Sequence, residues 1–276
     1  MNTRKLPWII FTAAAISLGG GSLCAAVPDF GDGSLKLWLE ADSITGHTNG
    51  QAVSIWNDSS DNGNNAIAGA PSTTPIYDST AMNGKPVVRF DGINDLLDAG
   101  NGFPITGTGL TIFTVLRFNS SDGSQGILGN RGGGAGYMLG EEGPPSFNDK
   151  FVFVGGTTQL TSAPGIPGSL VGKKLVLEAL KDGGTLTMFT NAVQFATSGG
   201  DGNLTDLGGD VLIGANPQQS SFNGDLAEVL IYNRALNAGE RATVTEYFFA
   251  KYSIPEPSSV ALLGLGSMMV LWRRRS

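Results

Sequence analysis

Short apolar runs bounded by Gly, Asn, Asp or Pro recur through the interior of the chain: Leu35–Leu39, Val53–Trp56, Val87–Phe90, Leu110–Phe118, Phe151–Val154, Leu175–Leu180, Leu186–Phe189, Val211–Ile213 and Leu226–Tyr232. Runs of this length separated by turn residues predict strands, and so many in succession predict an all-β sandwich or barrel. In Leu110–Phe118 both alternating faces are largely apolar, Ile112, Thr114 and Leu116 opposing Phe113 and Val115. Such a strand belongs at the centre of a sheet covered on both sides. Asp182-Gly183-Gly184 separates Lys174–Lys181 from Thr185–Thr190, and Asn191-Ala192 precedes Val193–Ala196. These spacings predict two successive hairpins, a three-stranded meander. One helix is predicted: Asn237 caps it, Glu240 completes a capping box, and Val244, Phe248 and Tyr252 share one face. Its expected place is the end of the sandwich. Gly132 to Pro145 and Gly199 to Gly209 read as long loops.

Two further apolar runs sit at the ends and obey a different logic. Arg4 and Lys5 precede an apolar stretch from Leu6 to Leu18 and small residues ending Cys24-Ala25-Ala26. A charged head, an apolar middle and a small-residue site make a signal peptide, residues 1–26, cut by signal peptidase after Ala26. A lipoprotein signal with Cys24 acylated would want a small residue before the cysteine, where Leu23 stands. A plain membrane anchor is the other alternative, although the run is shorter than the ~17–25 residues a spanning helix needs. At the far end Pro255-Glu256-Pro257-Ser258-Ser259 leads into an apolar segment from Val260 to Trp272 and then Arg273-Arg274-Arg275. As a helix this segment reaches about 20 Å, short for a ~30 Å hydrocarbon core unless the serines join it and the arginines snorkel.

Composition sharpens this division of the chain. Of 276 residues 41 are Gly and 13 are Pro, enough for a turn-rich β protein, while 41% apolar content can fill a core. The net charge is −7. Removing Arg4, Lys5, Arg273 to Arg275 and Glu256 leaves 12 basic and 23 acidic residues, −11, in the segment 27–254. A domain of that sign with no Lys/Arg stripe excludes an electrostatic grip on nucleic acid. The single cysteine leaves with the signal peptide, so an exported domain must be held by a large core rather than by disulfides.

The tail, residues 255–276, resembles the PEP-CTERM sorting signal in the order, spacing and position of Pro255, Glu256, Pro257, the hydrophobic segment and Arg273, Arg274, Arg275. The resemblance implies recognition by exosortase, a membrane protease-transpeptidase, a transient stay in the inner membrane, and a Gram-negative envelope, surface or extracellular-matrix location. The middle, residues 27–254, resembles the LamG-like jelly rolls of the concanavalin A-like lectin/glucanase superfamily. Leu37-Trp38-Leu39-Glu40-Ala41-Asp42, Trp56-Asn57-Asp58-Ser59-Ser60, Pro86 to Gly92 and Phe222 to Leu236 carry the likeness, with Glu240-Arg241 and Tyr247 to Tyr252 beyond. The fold implied is a concanavalin A-like jelly-roll sandwich with one short C-terminal helix, flanked by the signal peptide and a short hydrophobic C-terminal helix.

Candidate chemistry is sparse. His47 is the lone histidine: a Ser-His-Asp triad would have to use it and no Gly-x-Ser-x-Gly elbow presents a nucleophile, while one imidazole with no cysteine in the mature chain does not make a zinc site. The superfamily's glucanases resemble one another in a Glu-x-Asp-x-Glu strand. Here Glu40-Ala41-Asp42 comes nearest, and Ile44 stands where a third acid would be. The alternative is that Glu40 and Asp42 end a strand and bind nearby backbone. Glu141-Glu142, between glycines, does not offer strand geometry. An oxygen-rich loop from Asn57 to Asn65 offers Asp58, Asp61 and Asn64 to calcium, or to turn-forming Asx hydrogen bonds. Related laminin-type domains bind calcium at a sandwich rim. Asp91 and Asp95 flank what reads as a strand-ending turn. Trp38 and Trp56 read as core, and Tyr137 and Phe147 as rim platforms for a sugar ring. The expectation is an exported, non-catalytic binding module for carbohydrate or exopolysaccharide. A structural matrix or adhesion protein is the first alternative and a divergent glycoside hydrolase the second.

Overall fold

A computed structural model describes residues 29–120, 123–130, 136–142, 150–162, 171–199, 203–205, 208–215 and 221–255. Ala26, Phe147, and Glu256, Pro257, Arg273, Arg274 and Arg275 of the sorting signal lie outside these residues. The strands are β1 (Leu35–Glu40), β2 (Ile55–Trp56), β3 (Ala66–Ile67), β4 (Ile76–Met82), β5 (Lys85–Asp91), β6 (Leu97–Asp98), β7 (Gly109–Phe118) and β8 (Gln125–Asn130). Then follow β9 (Tyr137–Glu142), β10 (Lys150–Gly155), β11 (Thr158–Thr161), β12 (Lys174–Asp182), β13 (Thr185–Thr190), β14 (Val193–Gly199), β15 (Leu212–Ile213) and β16 (Asn223–Tyr232). A helix, α1, spans Ala238–Tyr252.

These strands form two antiparallel sheets stacked as a jelly-roll sandwich. The first runs β14-β13-β12-β7-β16-β5-β4, and the second β11-β10-β9-β8-β15-β6-β3-β2. One edge of β16 is shared: β5 pairs with Asn223 to Leu226, and β1 with Glu228 to Tyr232. Leu110, Ile112, Leu116 and Phe118 of β7 point between the sheets, where they meet Ile127, Leu139, Phe151, Phe153 and Trp56. Phe113 and Val115 of the same strand point outward and are equally buried. As its two apolar faces require, β7 is the middle strand of its sheet.

The outward face explains the helix. Val87, Phe113, Val115 and Leu230 project from the first sheet and are covered by Val244, Tyr247, Phe248 and Tyr252 of α1. The helix therefore lies across that sheet as a third layer, not at the end of the sandwich, because exposing those side chains would forfeit about 1.5–3 kcal/mol each. Its start follows the sequence: the Asn237 side chain accepts from Gly239 N and Glu240 N, and Glu240 reaches back to the Asn237 N–H. The meander β12-β13-β14 forms as the turn spacing predicts, with Asn191 (φ 47) and Ala192 (φ 66) in the conformation of a tight two-residue hairpin turn. The stretch read as a loop from Gly132 to Pro145 contains strand β9, so Glu141 does stand on a strand.

A bulge in β16 sets up the outer face. Leu226 pairs with Leu116 and Glu228 with Val115, leaving Ala227 as the extra residue. Side chains alternate along a strand, so residues 225 and 228 would ordinarily face opposite ways. The inserted residue turns both Asp225 and Glu228 to the outside of the first sheet.

Candidate functional site

Near one end of that outer face, β4, β5, β16 and the end of β7 frame a cleft of ≈ 380 Å³. Ile76, Arg89, Asp91, Asp95, Asn119 and Asn223 line it, together with Ser72 and Thr74. Strand register puts these side chains together, since Asn223 stands opposite Asp91, Asp225 opposite Arg89, and Ile76 opposite Arg89 on the other side. The wall at Asp91 is a built turn. Asp91 Oδ1 accepts from the N–H groups of Ile93 (2.8 Å) and Asn94 (3.3 Å), and the Asp91 N–H donates to Asp95 Oδ2 at 2.9 Å. Gly92 occupies φ 76, and a Cβ there would come within 2.6 Å of Asn223 Cβ. Only glycine permits that approach. Asp95 is 7% exposed, and burial raises its carboxyl above the usual carboxylate range although the Asp91 N–H pulls it back.

Beneath the floor lies Asp225, wholly buried. Arg89 grips it through Nε (2.6 Å) and Nη2 (3.2 Å), Arg117 donates to its other side, and Asn119 Nδ2 approaches at 3.3 Å. Arg89 also pairs with Asp78 at 2.9 Å. The hydrogen bonds to Asp225 hold the Arg89 guanidinium in its charged form. Planar, bidentate pairing fixes the fork in one orientation, and the side chain remains 31% exposed to the cleft. Behind the opposite wall Gln125 Oε1 accepts from the Asn223 N–H at 2.7 Å, while Gln125 Nε2 donates to the buried Glu141 at 3.1 Å. The cleft thus offers amides, a carboxylate and a held guanidinium on neighbouring strands and the turns at their ends.

Of the residues singled out from the sequence, Asp91 and Asp95 form the expected strand-ending turn and line the cleft, and the others go elsewhere. Asp58 Oδ1 accepts from Trp38 N and Ser60 N, and Oδ2 from Ser60 Oγ and Asn64 N, all within 3.0 Å. Asn64 Nδ2 donates to Lys36 O at 2.8 Å, and Asp61 is exposed at φ 64. This is the Asx-turn arrangement, in which Asp58 and Asn64 meet to pin the loop onto β1. Glu40 and Asp42 do end a strand, but their partner is a side chain rather than backbone: Lys251 Nζ lies 2.9 Å from each and 2.8 Å from Glu228. His47 approaches Thr45 O at 3.3 Å. Trp56 is in the inter-sheet core as expected, whereas Trp38 is half-buried on the outer face and donates to Glu228 Oε1 at 2.7 Å. Tyr137 is 2% exposed inside the sandwich and offers no rim platform. Among the described residues no three His, Cys, Asp or Glu side chains are grouped to hold a metal ion.

Arg89, Asn119 and Asn223, which form the cleft, were not singled out in the sequence. A faint signal existed in Val87-Val88-Arg89-Phe90-Asp91, where one arginine interrupts a strand whose neighbours are apolar. Asp225 carried another, as an acid inside an otherwise buried run.

Comparison with known proteins bears on the fold that carries this geometry. No curated protein matches the chain in sequence. Domain 4 of AbnA, a GH43 extracellular arabinanase from Geobacillus stearothermophilus, solved with arabinotriose, is similar in structure with a TM-score of 0.57 at 15% identity. That likeness covers 78% of this chain and 98% of the domain. An arabinofuranosidase complexed with arabinofuranosyl-alpha-1,2-xylobiose matches with a TM-score of 0.54 at 13% identity, over 73% of this chain and 51% of the other. Trypanosoma rangeli sialidase matches at 0.50 and 14% identity, over 82% of this chain and 34% of the sialidase. At such identities the shared property is the fold. The PEP-CTERM protein-sorting motif matches residues 253–275, and a second family description matches residues 91–240, from the cleft turn to the helix cap. By that second match the chain belongs to the concanavalin A-like lectin/glucanases superfamily.

Proposed function

We propose that this is an exported binding module, held at the cell envelope by its sorting tail, whose cleft receives a carbohydrate without cleaving it. The observation that carries the reading is the wall of Asn119, Asn223, Asp91 and Arg89 around a ≈ 380 Å³ cleft, with Ile76 as an apolar contact. Sugar recognition needs such a pairing of planar hydrogen-bonding groups with apolar surface on a preformed frame. The fold neighbours that were crystallised with arabinose-containing oligosaccharides make oligosaccharides of that class the first to try. The sorting motif supports processing by exosortase and at least a transient stay of the C-terminal segment in the inner membrane.

The test is a glycan array followed by titration of each hit. Asn223→Ala removes a side chain that makes no structural hydrogen bond among the described residues. Loss of one hydrogen bond, about 0.5–1.5 kcal/mol, is expected to weaken binding about 2- to 10-fold with an unchanged melting temperature. An array with no saturable ligand would favour the alternative of a structural matrix or adhesion protein. Asp91 and Asp95 are the acids lining the cleft, and release of reducing sugar that vanished in Asp95→Asn would favour a glycoside hydrolase.

A further inference from the structure

The sorting tail leaves the fold from a fixed point. Ile254 is 4% exposed and belongs to the cluster that seats α1, whereas Pro255 is exposed. Ser253 turns the chain out of the helix in the left-handed conformation at φ 51. Asn83, in the tight turn between β4 and β5, donates through Nδ2 to Tyr252 O at 2.7 Å and to Ser253 O at 3.5 Å, and Lys174 Nζ donates to Asn83 Oδ1. One residue before Tyr252, Lys251 is tied to Glu228, Glu40 and Asp42. Helix, hairpin tip and sheet therefore hold the last turn of α1 in place.

Beyond Ile254 only Pro255, Glu256, Pro257, Ser258 and Ser259 precede the apolar segment that begins at Val260. Five residues span at most ~18 Å when fully extended. The lipid head groups take up ~5–8 Å on each side of the hydrocarbon core, so ~10 Å remains between them and Ile254. We infer that, while the tail lies in the bilayer, the domain rests on the lipid head groups with the exit patch against them: the last turn of α1, the Asn83–Gly84 turn and Lys174. The chemistry of the patch agrees, since Lys174 reaches Asn83 and Lys85 follows the same turn, where it lies 3.8 Å from Asp42, in a domain that is otherwise strongly acidic. Sheet two, on the far side of the core, then faces away from the membrane. This inference rests on the membrane stay of the tail proposed above.

Its test uses the full chain in vesicles of phosphatidylethanolamine and phosphatidylglycerol carrying a nitroxide on some head groups. In a Cys24→Ser background, single cysteines at Thr80→Cys and Ala250→Cys report the exit side, and Ile67→Cys reports the outer face of the second sheet. All three positions are exposed. A fluorophore at positions 80 and 250 is expected to be quenched at least threefold more than one at position 67. A 20-residue Gly/Ser insertion after Ile254 is expected to bring the three sites within twofold of one another. Equal quenching without the insertion, or the same difference with it, overturns the inference while co-sedimentation with the vesicles leaves the membrane stay standing. Failure of the full chain to co-sediment overturns both.

Discussion

Glu228 shows what one buried carboxylate demands of its surroundings. It is wholly enclosed, and burial pushes its carboxyl up while Lys251 pulls it back. Trp38 Nε1 and Tyr247 OH donate to one oxygen, and Lys251 Nζ and Tyr252 OH to the other. Lys251 itself is held charged by these neighbours despite its own burial. Removing one member of such a pair leaves the other uncompensated, at about 3–5 kcal/mol. Lys251→Ala is therefore expected to lower the unfolding free energy by that amount in urea titration, and a change below ~1 kcal/mol would show the network to be ornamental. Asp95 gives the pH counterpart. Its folded carboxyl titrates above its unfolded value, so it favours the native state below about pH 3.9 and loses that contribution as the pH rises through the raised value. Asn at this position can still accept the Asp91 N–H. The stability of Asp95→Asn relative to the parent is expected to increase between pH 3.5 and pH 7, and a pH-independent difference would refute the assigned cause.

At the scale of elements, the sequence discloses what local pattern controls. The capping box at Asn237 and Glu240, the hairpin at Asn191-Ala192 and the two-faced strand Leu110–Phe118 are each written in adjacent residues, and each forms. Strand β8 was illegible because Gln125, Gly126, Gly129 and Asn130 are turn-type residues, yet all are buried. Gly129 is there because a Cβ would come within 2.8 Å of Tyr137 O on β9, a constraint imposed by the neighbouring strand. The cleft was hidden for the same reason. Asn119, Asn223 and Arg89 become neighbours only through sheet register, and the bulge that turns Asp225 and Glu228 to one face has no local signature. The loop at Asp58 was legible as oxygen-rich but not as to partner. Because its carboxylate already accepts four hydrogen bonds, a calcium ion would have to displace those donors. Melting temperatures in millimolar calcium and in chelator are expected to coincide; a shift of several degrees that was lost in Asp58→Ala would place the ion at Asp58, Asp61 and Asn64.

On the scale of the whole molecule, the order in which parts of the chain can find each other follows from the shared edge of β16. The first strand, β1, finds its ladder partner only near the end of the domain, in β16, and Trp38 and Glu228 meet across 190 residues of sequence. β7 and β5 flank the same late strand. Contacts of such separation form slowly, since the intervening chain must be ordered first. A chain threaded outward from its N-terminus would therefore carry β1 across the membrane well before its partner arrives. Until residue 232 emerges, β1 and β5 have no strand through which to join β7. Export would thus be timed by topology: the sandwich would stay open until β16 is across, and its completion would come just ahead of the PEP-CTERM tail.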